Sequence, residues 1–311
     1  MGKNIDVVIV TFNRLEKLKH CLDCYDKQTV PFRNLIIVNN CSTDGTKEFL
    51  IVYKDLEHKF NIHLINLDRN IGGSGGFHCG QEYAQTLSPD WILLADDDAY
   101  ADSNLIKKFN DFINDVDVSD VSAICTAVKR VDGSIDLTHR QVNDKLFTLT
   151  VGRNAPENYY EKSFFEVDFL TYVGSFLNTS VLKKAGIGRS DFFIYCDDTE
   201  HSVRLRKNGR IICVPELFYI HDSGQVTAAI DHSLLATWRD YYAWRNVIYM
   251  CKIHKPVKAI SITLLELMRF LTSKTLSREA KKVHWRGIVD GWCGRMGLHH
   301  LYKPGWQIKK V

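Results

Sequence analysis

The chain has 311 residues, 45% of them apolar and 25% charged, with a formal net charge of +3. A chain of this length buries a large core, and its balance predicts one catalytic α/β domain with an appendage rather than two equal domains. No apolar run approaches the roughly 18 to 20 residues of a membrane span, so no transmembrane helix is expected.

The first residues run straight into a strand-like segment, leaving no room for a secretory signal, and position six lacks the Ser or Thr that myristoylation needs. The expectation is a chain that starts at its initiator Met and stays in the cytoplasm. Nine singly scattered cysteines read as reduced thiols. Cys21 and Cys24 form a lone CxxC without a second ligand pair, so no zinc site is expected there.

Short β-branched runs predict strands over residues 5–10, 34–38, 62–67, 91–95 and 122–128, alternating with helices over 14–27, 43–54, 74–87 and 102–114. Ser74 and Asp102 are the expected N-caps of the last two helices. The alternation is that of a mainly parallel sheet covered by helices. The loops after its strands are rich in Asn, Asp, Gly and Ser, and they share the carboxyl edge where such sheets bind ligands. Residues 129–158 are polar and aperiodic and read as an excursion over that edge. A sheet pattern resumes over 164–177, and Asn178 is placed to cap a short helix ending at Gly186. A helix over 197–208 stops at Gly209. Strands over 210–214 and 217–220 follow, then long helical patterns over 233–253, 256–273 and 277–296.

Charge is unevenly placed. Residues 245–311 hold fourteen Lys and Arg against three acids, while residues 1–244 carry a net −8. Helices that combine this charge with Trp285, Trp292 and Trp306 suit the surface of an anionic bilayer. Packing on the main domain or a homo-oligomeric contact is the alternative. A nucleic-acid partner is not expected.

Four motifs carry chemistry. The apolar run from Trp91 to Ala95 enters three carboxylates, Asp96, Asp97 and Asp98. Adjacent acids at a strand's end repel one another unless a cation sits among them, and hard oxygen ligands suit Mg2+ or Mn2+. Alternate residues of an extended chain point the same way, so Asp96 and Asp98 share a side and Asp97 turns elsewhere. A second acidic group, Asp197, Asp198 and Glu200, opens a helix whose dipole favours it; one member is also placed to accept a hydroxyl proton. His221 closes a strand, where a neutral imidazole could join two carboxylates on a metal. Finally, Gly72, Gly73, Gly75 and Gly76 lie between a strand and a helix and let backbone amides approach phosphate oxygens. The loop follows the third strand rather than the first, which argues against a dinucleotide-binding oxidoreductase.

In this order, Val8-Ile9-Val10-Thr11-Phe12-Asn13-Arg14, Val38-Asn39-Asn40-Cys41-Ser42-Thr43-Asp44-Gly45-Thr46, the Gly72–Gly76 loop, the aspartate triplet, and Asp197-Asp198-Thr199-Glu200 with His221 resemble the family 2 glycosyltransferases over about residues 5–225. The run NIGGSGGF followed by DDD looks most like the galactofuranosyltransferases, which use UDP-galactofuranose; dTDP-rhamnose-dependent rhamnosyltransferases are the nearest relatives. The resemblance implies a GT-A nucleotide-binding domain over residues 1–230 and a helical region over 231–311. It implies inverting transfer, dependent on Mn2+ or Mg2+, from a UDP-sugar donor to a glycan or lipid-linked glycan acceptor for cell-surface polysaccharide. Such an enzyme would sit peripherally on the inner face of the cell membrane. Thr11, Phe12, Arg14 and Asn39 would meet the nucleotide, with family members commonly carrying Asp where Asn39 stands. Arg69, Asn70, Gly73, Asp96, Asp97 and Asp197 would complete the nucleotide-sugar site. Asp96, Asp98 and His221 would hold the metal, and Asp198 would be the catalytic base. A non-catalytic nucleotide-sugar-binding protein is the alternative of another class.

Overall fold

The computed structural model describes residues 3–143, 151–223 and 236–307. In chain order the first half contains β1 (Ile5–Thr11), α1 (Leu15–Asp26), β2 (Asn34–Asn39), α2 (Thr46–Lys54), β3 (Asn61–Asn66), α3 (Gly72–Thr86), β4 (Trp91–Asp96), β5 (Ala99–Ala101), α4 (Leu105–Asp115) and β6 (Val121–Lys129). Short strands follow: β7 (Arg140–Asn143), β8 (Gly152–Asn154), β9 (Phe165–Glu166), β10 (Phe169–Leu170) and β11 (Ser175–Asn178). Then come α5 (Thr179–Ala185), α6 (Asp197–Arg206), β12 (Arg210–His221) and three long helices, α7 (Trp238–His254), α8 (Pro256–Thr272) and α9 (Arg278–Cys293).

The main sheet runs β3-β2-β1-β4-β11-β6-β12-β5, with β9 pairing on β12; β10, β7 and β8 form a second, small sheet. Strands β3, β2, β1 and β4 are mutually parallel, and β11 runs antiparallel between β4 and β6. Both faces of the sheet are covered at its centre, so β1, β2 and β4 are buried along their lengths and largely apolar rather than alternating. Val7, Ile9, Leu35, Ile37 and Leu93 enter one core with Leu18, Leu22 and Phe109. Their chain neighbours Val8, Val10, Ile36, Val38, Ile92 and Leu94 enter the opposite core with Phe77 and Ala84 of α3.

Several local expectations are corrected. Helix α4 begins at Leu105 with Asn104 at its N-cap, and Asp102 instead accepts from the Asn104 amide and pairs with Lys108. Helix α3 begins two residues before Ser74, at Gly72. The run 164–177 is broken into β9, β10 and β11, while 210–220 is one strand that shifts register between Val214 and Phe218. Pro215 lies in that irregularity, where the absence of a ladder N–H costs nothing. The aperiodic stretch 129–158 supplies β7 and β8; its residues 144–150 lie outside the described residues, as does the predicted start of the helix at 233, and α7 begins at Trp238.

The glycines of α3 bring the helix close to the sheet. A Cβ on Gly76 would lie 2.5 Å from Val10 Cγ1, and one on Gly80 2.3 Å from Val8 Cγ1, whereas Gly73 faces open space. Two substitutions separate these roles by chemical denaturation. Gly80→Ala should cost about 1–3 kcal/mol of stability through overpacking. Gly73→Ala should leave stability unchanged or raise it by up to about 1 kcal/mol.

Candidate active site

The parallel strands deliver their polar ends to one edge. In the ladder Thr11 pairs with Asn39, Asn39 with Asn66, and Val10 with Asp96. Asp97 is held by the loop after β1: Thr11 Oγ1 donates to its Oδ2 at 2.8 Å, the Phe12 amide reaches the same oxygen at 3.4 Å, and Arg14 donates to Oδ1 at 3.1 Å. The Arg14 guanidinium also pairs with Asp98 at 2.6 Å. The Phe12 ring is exposed.

His221 reaches the triplet through a strand that sequence reasoning missed. Immediately after the aspartates the chain turns into β5, which pairs antiparallel with the end of β12 and sets His221 opposite Ala99. The Asp222 amide then donates to the Asp98 carbonyl at 2.9 Å. As a result, ligand atoms of Asp96, Asp98 and His221 all lie within 4.8 Å of one another. His221 Nε2 is 3.2 Å from Asp98 Oδ1, a buried oxygen that makes no well-formed hydrogen bond. Two carboxylates and an imidazole, with one oxygen left unsatisfied, fit a divalent cation such as Mn2+ or Mg2+.

The electrostatics follow from burial. Asp96 is pushed up to about 7 by desolvation and by its neighbour Asp98. Burial also raises Asp97, against the opposing pull of Arg14 and Thr11. Burial works against ionisation of Asp98 too, but His221 and Arg14 outweigh it and hold that carboxyl below its ordinary value. Desolvation lowers the His221 pKa less than Asp98 and Asp96 raise it. His139 packs edge-on against His221, with ring centroids 5.1 Å apart, and burial followed by Arg140 drives it down to about 3, so its ring is neutral. Arg140 is fully buried and donates to the carbonyls of Thr126, His139 and Val173. Both residues lie in the stretch that read as aperiodic.

Beside this edge the glycine loop is tied down by Asn40, whose amide donates to the Gly72 carbonyl at 3.0 Å and whose oxygen accepts from the Ile71 amide at 2.9 Å. Asn70 Oδ1 accepts from the Gly72 amide at 2.8 Å. Gly73 lies in the first turn of α3, and Arg69 is exposed. Asn39 Oδ1 accepts from the Ser42 amide and its Nδ2 donates to Asn66.

Asp197 and Asp198 open α6. Asp197 is buried and pushed up to about 8 by desolvation and by Asp198. Asp198 is partly exposed; its Oδ1 accepts from the Thr199 amide and hydroxyl, and burial raises its pKa. The loop before them is strained, with Phe193, Tyr195 and Cys196 at φ of 67°, 65° and 64°. Such angles cost non-glycine residues of order 1–3 kcal/mol each and persist only where the surroundings enforce them. Here the enforcement comes from α7. The Asn246 amide lies 2.7–3.0 Å from the carbonyls of Phe192, Ile194 and Tyr195. Arg245 fixes the Asn246 oxygen at 2.8 Å and itself donates to the Phe192 carbonyl. Both side chains are fully buried. Farther along α6, Glu200 binds Arg204 and, at 2.9 Å, His254 of α7. In the sequence Arg245 and Asn246 stand in a helical pattern, within a run, Tyr241–Asn246, that is similar to the tails of family members; nothing in their spacing points to a loop fifty residues upstream.

Comparison with known proteins agrees with this architecture. A galactofuranosyltransferase of Mycobacterium tuberculosis, GlfT1, is 33% identical over 103 residues, covering 32% of this chain and 32% of its own, so the match spans about a third of that relative. A dTDP-rhamnosyl transferase of Shigella flexneri, RfbF, is 23% identical over 96% of this chain and 98% of its own. Among solved structures, GalNAc-T7 with UDP, GalNAc and Mn2+ superposes with a TM-score of 0.63 at 11% identity, covering 92% of this chain and 54% of that one. The architecture is GT-A. The family model for glycosyl transferase family 2 matches residues 6–184, and the chain belongs to that family.

Proposed function

We propose that the protein is an inverting, divalent-metal-dependent transferase that moves galactofuranose from UDP-galactofuranose to a glycan or glycolipid acceptor in cell-surface polysaccharide synthesis. The observation that carries the reading is the meeting of Asp96, Asp98 and His221 on the edge that also holds Asp97 and Arg14. Thr11, Phe12, Arg14 and Asn39 line the proposed nucleotide site, with Arg69, Asn70, Gly73, Asp97 and Asp197 beside the diphosphate and sugar. A divalent ion held by Asp96, Asp98 and His221 would supply counter-charge for the departing diphosphate.

Asp198 accepts the proton of an acceptor hydroxyl. The hydroxyl oxygen bonds to the anomeric carbon from the face opposite the nucleotide, and the carbon–diphosphate bond breaks with its electron pair leaving on UDP. One displacement inverts the anomeric centre. The galactofuranose assignment rests on the glycine loop, the aspartate triplet and the similarity to GlfT1. A second reading, transfer of rhamnose from dTDP-rhamnose, is favoured by the nearly full-length similarity to RfbF.

Four measurements test these assignments. Asp198→Ala should lower kcat by about 10²- to 10⁴-fold with donor binding nearly intact. Because burial raises this carboxyl, the base form is lost as pH falls, and the acid limb of wild-type kcat should lie above the ordinary carboxylate range. More than a tenth of wild-type activity in the variant would exclude the role. EDTA should abolish transfer and Mn2+ or Mg2+ restore it; full activity in chelator removes the metal. In a panel of UDP- and dTDP-sugars read by mass spectrometry, consumption of UDP-galactofuranose is expected, and turnover of dTDP-rhamnose alone would select the second reading.

A further inference from the structure

Of the three tryptophans expected to face a membrane, Trp285 is exposed and the other two are engaged within the fold. Trp292 donates its indole N–H to Thr263 of α8 at 3.0 Å, and Trp306 packs on Tyr302. The unpartnered apolar surface lies on α8 instead. Its inner side is buried through Ala259, Ile262 and Glu266, the last fixed by His284 of α9 at 2.9 Å. Its outer side presents Val257 at 58% exposure, Ile260 at 50%, Leu264 at 55%, Met268 at 61% and Leu271 at 87%. Spacings of three and four residues place these five side chains in one narrow stripe, about 21 Å long at 1.5 Å per residue. Apart from the terminal Pro256 and Thr272, no other residue of α8 is exposed. Contiguous exposed apolar surface rimmed by polar residues is a mark of protein or membrane contact sites.

Charge around the strip selects the partner. In sequence, exposed Lys252 precedes it, and exposed Lys274, Arg278 and Lys282 follow, with Glu279 the one exposed acid among residues 252–282; Arg286, farther along α9, is paired with Asp290 at 2.8 Å. Two copies meeting strip to strip would gather like charges at the ends of the contact, which disfavours an isologous pairing. A surface that is apolar to the depth of its side chains and negative at its boundary satisfies both features. No helix among the described residues is long and apolar enough to cross a membrane. We propose that α8 is the membrane-contacting element, laying Val257, Ile260, Leu264, Met268 and Leu271 into the interface of an anionic bilayer with Lys274, Arg278 and Lys282 at its headgroups. The assignment is independent of the donor and of the catalytic roles given above.

The test is co-sedimentation of the full chain with vesicles of phosphatidylcholine alone or with about one third phosphatidylglycerol. Wild type should bind the anionic vesicles, and binding should fall as salt shortens the reach of exposed charges to about 3 Å at 1 M. Leu264→Glu combined with Met268→Glu should weaken binding at least tenfold, as should joint reversal of Lys274, Arg278 and Lys282 to Glu. All five positions are exposed, so unchanged melting temperatures should show that the variants fold. Absence of binding by wild type, or binding unaffected by the Leu264 and Met268 changes, overturns the proposal. A lipid-free dimer in analytical ultracentrifugation that Leu264→Glu dissociates would also overturn it, assigning the strip to a second copy.

Discussion

Three successive carboxylates at the end of a fully buried strand are the constraint around which the molecule is arranged. Burial makes each of them reluctant to ionise, and each raises its neighbours. The chain answers with groups from distant positions that favour the ionised carboxylates: Arg14 from the loop after β1 and His221 from the end of β12. Both answers are topological. Placing Arg14 requires β1 to lie beside β4, and placing His221 requires β12 to travel the length of the sheet and pair with β5. His139 then packs against the imidazole, and Arg140 beside it is tied to the carbonyls of Thr126 and Val173, so a stretch of polar sequence is ordered there.

A second debt is conformational. The backbone that presents Asp197 and Asp198 adopts three left-handed non-glycine residues in four positions. Gly72, at φ +80°, allows the Phe193 carbonyl to come where a side chain would collide, at 2.0 Å from a would-be Cβ. The glycine loop and the acidic helix start are therefore shaped against each other, with α7 holding the far side through Arg245 and Asn246.

Much of this was legible in the sequence, and for a physical reason. The parallel strands are short, β-branched and apolar, the loops after them carry their polar residues in order, and that order places Thr11, Asn39, Asp96 and the glycine loop on one edge before any coordinates are known. The parts that were not legible depend on contacts remote in sequence or on elements too short to show periodicity. Strand β5 has three residues, and its existence follows from pairing with His221, not from its own composition. Asp102 had the right chemistry for a helix cap but sits in a turn whose bonds begin the helix later. Asn246 looked like any polar residue in an amphipathic pattern, since its partners are the carbonyls of residues 192–195. The tail's charge was readable, but which apolar residues face outward was not, because a helical pattern does not reveal which helix surfaces cover one another.

The clasp formed by Arg245 and Asn246 bears on how such enzymes could be recombined. One carboxamide with two hydrogens serves three carbonyls of another segment, and Phe192 and Phe193 belong to apolar clusters built mostly from the C-terminal helices. A crossover point placed between β12 and α7 would look natural in the linear map, where the sequence changes character. A chimaera made there would inherit the aspartates from one parent and the residues that shape their backbone from the other. Grafts that exchange the C-terminal helices would need to carry the Phe192–Cys196 loop with them, as a two-piece cassette rather than a single tail.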